Sequence, residues 1–556
     1  MLIYSILLLL TSNAVNNRRD SSIIYSRISI IILINTILLL YAVLNVDFLY
    51  KGLILYNGYI NIKSYIIIFI IFILIISSII ISINSIYPRK IFSKDIILYN
   101  KYIQNLTNII NKMSDQYRII EYPLILLFCI MGVIFLLLSS DLVSIFLSIE
   151  LQSYSLYLIS SIYRNSEASI TAGLTYFLLG GLSSCIILLG ISLIYINYGN
   201  TNIENIYMIN NIFNSLKHNI YTYTSDINSI NTVYLYLYLY TQYLYVQVAL
   251  AIISIGFLFK ISSAPFHFWS PDVYDAVPTI VTTFIAIVPK ISILILLYNI
   301  SYYTNNDDWI ELSWSNTLII SSILSFIIGS VLGLIQYRIK RLFAYSTISH
   351  IGFMLLGLSI NNLESVRALF FYIIQYSISN LNAFLILLVI GNSLYIYISD
   401  KKYNMKERNY SPIQLISQLK GFFYVNPMLA ISLSLTLFSF AGIPPLIGFF
   451  GKQMILTVAI DKGFVLTVII AIITSVISAV YYLVLIKNLY FEKTEYKLNN
   501  KIIQNINKYA QSNNYIKYNN IIVSSCLSLT ISIITLIIIL FIIFNYEIIK
   551  LIYIIT

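Results

Sequence analysis

Apolar runs of about 20 residues recur along nearly the whole of this 556-residue chain. A helix of that length rises about 30 Å, the thickness of a bilayer's hydrocarbon core. Inside lipid the backbone must satisfy its own hydrogen bonds, so only helices and closed barrels can span. A barrel would show short alternating strands, and these runs are long and continuous. The chain therefore reads as an all-α polytopic membrane protein with about fourteen spans. They lie near 1–15, 23–46, 65–86, 123–138, 141–162, 168–196, 244–268, 278–300, 315–335, 342–360, 366–393, 428–455, 463–487 and 520–546. A composition that is 59% hydrophobic and 10% charged excludes a soluble domain of this size.

The basic residues test that count. With loops numbered alternately by side, 24 of the 33 Lys and Arg fall on one side and 6 on the other. The remaining 3 lie inside spans. A missed span would scramble this split, which is a strong positive-inside signal. The basic loops then face the matrix or cytoplasm, and both termini face the opposite side. The net charge of +11 is spread over separate loops with no single basic face, so no nucleic-acid partner is expected. Cys129, Cys185 and Cys526 stand alone in apolar runs and suggest packing, not an iron–sulfur or zinc site. The first run starts at Met1 without a basic stretch or cleavage site, so it reads as a span and not a removable signal. Heavy use of Ile, Asn, Tyr and Lys suits an AT-rich, organelle-type coding source. The alternating run Tyr234 to Tyr240 reads as an extended or interfacial segment.

Four charges sit where lipid disfavours them: Glu150, Lys260, Lys290 and Lys452. Each costs roughly 2.5–3.5 kcal/mol at a span's centre. Such residues are proton or ion pathway candidates by default. Glu150 shares a helix face with Ser153, Tyr154 and Tyr157, at i, i+3, i+4 and i+7, a polar stripe facing the bundle interior. Lys260 precedes Pro265, which should break the helix and free backbone groups beside the charge. Losing water weakens a lysine's hold on its proton and a nearby carboxylate strengthens it, so the Glu150–Lys260 separation can act as a toggle. The plain alternative is an ion pair serving assembly alone. His267 follows the break and is a relay candidate.

Lys290 follows Pro289, about half a span from Asp272 and Asp275. Lys452 follows Pro444 and Pro445, a second break. Two broken spans, each with a lysine, point to a repeat with a path between its halves. Gln375, Ser379 and Asn382 share a face that would wet the axis, and His350 is either relay or packing. Gly329 and Gly333 suggest close helix contact. No phosphate loop, dinucleotide fingerprint or metal motif is present, so redox chemistry must come from elsewhere.

The segments Glu150 to Tyr157, Lys260 to Thr279, Gln336 to Gly352 and Ala441 to Lys452 resemble the antiporter-like subunits of respiratory complex I, of mitochondrial and fungal type. The resemblance covers roughly 123–487, with three further N-terminal spans typical of the family. One departure is Asp275-Ala-Val-Pro-Thr279, where the family usually carries Gly-Ala-Pro-Thr; losing a glycine at a turn changes the local loop geometry and is expected to leave the path untouched. The resemblance implies fourteen helices with two inverted five-helix repeats, each containing a broken helix. It divides the chain into 1–122, an accessory three-helix region and loop; 123–300 and 301–490, the two repeats; and 491–556, a loop and last helix. By resemblance Glu150–Lys260 is the modulating pair, His267 bridges Lys260 and Lys290, Lys290 is the central lysine and Lys452 the exit-side lysine. The implied role is proton translocation driven by NADH-to-ubiquinone electron transfer in other subunits. NADH, FMN, iron–sulfur clusters and ubiquinone belong to the complex, with none bound here, and room is left for bound phospholipid. The implied partners are other complex I subunits, especially neighbouring antiporter-like and small membrane subunits. The implied location is the mitochondrial inner membrane, with both termini in the intermembrane space. A cation/proton antiporter subunit and a structural scaffold are the rival readings.

Overall fold

The computed structural model describes residues 1–15, 21–45, 52–96, 121–163, 166–209, 211, 230–304, 314–393, 397–399, 413–493, 496–498 and 525–555. Several basic loop residues, Arg164 and Lys217 among them, lie outside these. The N-terminal helices are α1 (Leu2–Val15), α2 (Ser21–Leu44) and α3 (Ser64–Ile96). A hairpin of β1 (Leu53–Leu55) and β2 (Ile60–Ile62) precedes α3. Next come α4 (Glu121–Leu138), α5 (Leu142–Ser161), α6 (Glu167–Tyr198), α7 (Ile230–Ile261), the short α8 (Trp269–Ala276) and α9 (Thr279–Thr304). They are followed by α10 (Trp314–Leu334), α11 (Ile339–Ile360) and α12 (Leu363–Ser393). The chain ends with α13 (Pro427–Ala441), α14 (Ile447–Asp461), α15 (Val465–Tyr490) and α16 (Ser525–Ile555).

Among the described residues twelve helices are long and apolar enough to cross a membrane. The short α1 and the broken pair α13–α14 supply the other two expected spans. Among the described residues many Ser and Thr hydroxyls bond back to carbonyls one turn away, as Ser77 does to Leu74 and Ser183 to Gly180, which satisfies those donors within the helix. The apolar stretch of α9 is buried along its whole length, and α11 and α12 are nearly so. These three helices form the centre of the bundle, and the rest wrap them.

Loops that the charge count put on one side do meet. At one end β2 bridges to Ser139 and Asp141 bridges to Asn202. The ammonium of Lys63 there donates to Tyr303 (2.6 Å), whose hydroxyl donates to Glu204 (3.3 Å). At the other end Arg338 bridges to Leu415, and Lys420 pairs with Glu492 at 2.5 Å. There β3 (Tyr397–Ser399) also pairs with β4 (Tyr496–Leu498).

Two expectations need correction. Tyr234 to Tyr240 lie within helix α7 and are not extended. Tyr and Leu both present apolar bodies, so their alternation marks no face and carries no strand signal. The 24-to-6 split places Lys340 among the loop residues, yet it lies in the first turn of α11 and is only 1% exposed.

Candidate functional site

Both breaks form where the prolines require. After Ile261 the chain leaves α7, with Ser262 at φ +67°, and α8 begins only at Trp269. The indole of Trp269 donates to the Phe259 carbonyl (2.9 Å), so one freed backbone group is taken up. The second break follows α13, which Gly442 ends at φ +85°. A Cβ at Gly442 would be strained and would crowd the Lys452 side chain.

Lys260, in the last turn of α7, meets Glu150 of α5 at 3.4 Å. The carboxylate and ammonium are 16% and 8% exposed, so the pair is shielded but not sealed. A small cavity beside it is lined by Gln152, Ser153, Tyr157, Tyr176, Lys260 and Pro289. Of the stripe expected to face inward, Ser153 and Tyr157 are buried, but Tyr154 is 54% exposed and points outward. Its aromatic body suits lipid, and its ring lies edge-on to Tyr157.

Lys290 of α9 is buried and donates to Ser262 Oγ (3.1 Å) and Thr347 Oγ1 (3.2 Å). Its ammonium also lies 5.4 Å from the Tyr274 ring centre. Ser262 sits two residues after Lys260 in the chain, so the break itself sets a hydroxyl from the Lys260 segment against Lys290. Sequence reasoning singled out neither Ser262 nor Thr347. The only signal was their place in the segments around Pro265 and His350, because hydroxyl residues are common and carry no spacing code.

One turn beyond Thr347 on α11 stands His350. Its Nδ1 lies 2.8 Å from Tyr372 OH, and its buried Nε2 has no hydrogen-bond partner. It lines a second small cavity with Lys452, Phe440, Ser478 and Tyr482. Lys452 of α14 donates to the carbonyls of Phe440 (2.9 Å) and Ala441 (3.0 Å). Those are the last carbonyls of α13, left unpaired by the break, and a cation is favoured at a helix C-terminus.

His267 is buried, with Nδ1 3.3 Å from the Pro265 carbonyl and its ring near Phe268 and Tyr345. Among the described residues no hydrogen bond joins it to Lys260 or Lys290. Ser379 bonds back to the Gln375 carbonyl (2.7 Å). Gln375 and Asn382 are buried on α12, and both polar atoms of each amide lack a partner. The Gln375 amide rests against Gly451, where a Cβ would overlap its Oε1, and so lies one residue from Lys452. Gly329 packs against the α11 backbone at Tyr345 and Ser349, the close contact its spacing suggested.

Glu150 thus meets Lys260, Ser262 and Thr347 both hold Lys290, and His350, one turn from Thr347, shares a cavity with Lys452. Hydroxyl, imidazole and ammonium groups of this kind can hold and exchange protons.

Residues 139–478 match the family model described as NADH:quinone oxidoreductase/Mrp antiporter, TM. The chain is 40% identical to NADH-ubiquinone oxidoreductase chain 2 of Rhizopus oryzae, over 98% of this chain and 96% of that one. It is 34% identical to NADH-quinone oxidoreductase subunit N 1 of Rhizobium meliloti, over 68% and 70%. Its fold matches a chain of respiratory complex I from Thermus thermophilus with a TM-score of 0.64, at 21% identity and 96% coverage of both. The chain thus belongs to the NADH:quinone oxidoreductase/Mrp antiporter family of membrane subunits.

Proposed function

We propose that this chain is a proton-translocating membrane-arm subunit of an NADH:ubiquinone oxidoreductase, seated in the mitochondrial inner membrane among the other subunits of complex I. The observation that carries this reading is the buried series from the Glu150–Lys260 pair through Lys290 to His350 and Lys452. NADH oxidation and quinone reduction take place in partner subunits, which hold the redox groups, and this chain binds none of them. A displacement of the Glu150–Lys260 pair changes how firmly Lys260 keeps its proton. The proton then moves by way of Ser262 to Lys290, past Thr347 to His350, and on to Lys452. His267 serves the side of the break nearest Tyr345. Gln375 and Asn382, with their unpaired amides, bind the water that wets this route. The residues 123–300 and 301–490 act as two inverted repeats, each with one break and one lysine beside it. Both termini face the intermembrane space.

Lys260→Ala in the intact complex tests the reading. Proton pumping coupled to NADH oxidation is expected to fail while the complex still assembles. Full pumping by that variant would overturn the reading. A cation/proton antiporter role, which the family description also covers, would show instead as transport that depends on sodium and needs no NADH.

A further inference from the structure

Lys340 is as buried as Lys290, each being 1% exposed, and the route above does not use it. It occupies the first turn of α11, the end of a helix that disfavours a cation. Burial and position both work against this charge, so its contacts have to compensate. Its ammonium donates to the carbonyl of Val277 at 2.7 Å. Val277 lies in the two-residue link between Ala276, the end of α8, and Thr279, the start of α9.

The neighbours of Lys340 reach the same short helix. Arg338 pairs with Asp275 and Arg341 with Asp272. The Arg341–Asp272 pair, 39% and 62% exposed, is weakened by solvent, whereas the Arg338–Asp275 pair is shielded on its carboxylate side, where Asp275 is 9% exposed. The Lys340 bond is charge-assisted and buried, and it is the member of the clamp that holds the link between α8 and α9 itself. At its other end α8 is tied to the first charge pair. Trp269 stacks on Tyr176 of α6 at 4.5 Å, and Tyr176 lies edge-on to Tyr157, two turns from Glu150 on α5. Helix α8 therefore spans the distance between the Glu150 helix and α11, which carries Thr347 and His350.

We propose that Lys340 is a positioning residue for proton transfer. Its ammonium pins the Val277–Pro278 link, so that α8 and the start of α9 move with α11 and Lys290 stays between Ser262 and Thr347. The inference rests on the reading of Lys290 as a path residue. The test compares Lys340→Met, Lys340→Arg and Lys290→Ala in membranes holding the intact complex. Assembled complex is quantified on native gels, and protons moved per NADH oxidised are then measured. Lys340→Met is expected to assemble and to lose protons per NADH down to the Lys290→Ala value. Lys340→Arg, which can still donate to Val277, is expected to restore most of that loss. A purely structural role would lower the amount of complex without changing its stoichiometry. Normal stoichiometry in Lys340→Met, with loss in Lys290→Ala, would overturn this inference and leave the proposed function standing. Normal stoichiometry in Lys290→Ala would overturn both. Failure of both Lys340 variants to assemble would mark an assembly residue and also overturn it.

Discussion

The Glu150–Lys260 pair offers a graded test, because its strength depends on one distance. At 3.4 Å two unit charges attract by about 5 kcal/mol at an effective dielectric constant of about 20. Glu150→Asp removes one methylene, which draws the carboxylate back by about 1.5 Å. The attraction then falls to about 3.4 kcal/mol. The difference of about 1.5 kcal/mol corresponds to roughly a tenfold drop in the equilibrium favouring protonated Lys260. Glu150→Gln removes the charge, and breaking a buried pair in this way costs about 3–5 kcal/mol. Protons moved per NADH, measured in sealed vesicles and normalised to assembled complex, should fall in the order Glu, Asp, Gln. Because both groups keep some access to solvent, at 16% and 8%, the Asp variant should keep measurable pumping. An Asp variant no better than Gln, or a Gln variant equal to the parent, would refute the electrostatic argument.

Three further outcomes follow from the geometry. Ser262→Ala removes one of the two hydroxyls that hold Lys290; a bond to a charged group contributes about 1.5–3 kcal/mol, so pumping per NADH should drop while assembly holds. Gly451→Ala drives a methyl into the Gln375 amide; overpacking of this kind costs about 1–3 kcal/mol and should lower the thermal stability of the assembled complex. His350→Phe should cost more pumping than His267→Phe, since His350 shares a cavity with Lys452 while the polar contact of His267 is with Pro265; the reverse order in a proton-uptake assay would place the relay at the first break.

The spans were legible because lipid leaves the backbone so few choices. The same constraint made the intramembrane charges stand out as anomalies. Proline chemistry then located both breaks, at Pro265 and at Pro444–Pro445, to within a few residues. Hydroxyls gave no such signal. Ser262 and Thr347 look like many other serines and threonines in this chain, which bond harmlessly to their own helix. Lys340 sits at a span end, and positive-inside counting rewards basic residues there without telling a solvated one from a buried one.

Composition and periodicity alone determined that the chain spans a membrane many times and carries charges there. They did so because burial in lipid is decided residue by residue, by transfer free energy. Local pattern picks out the charges and the family resemblance pairs Glu150 with Lys260; the contacts themselves are decided by tertiary packing. Glu150 and Lys260 are 110 residues apart in the chain and Lys290 and Thr347 are 57 apart. Their contact depends on how α5, α7, α9 and α11 pack around two broken helices. That packing is non-local, and a local pattern does not encode it.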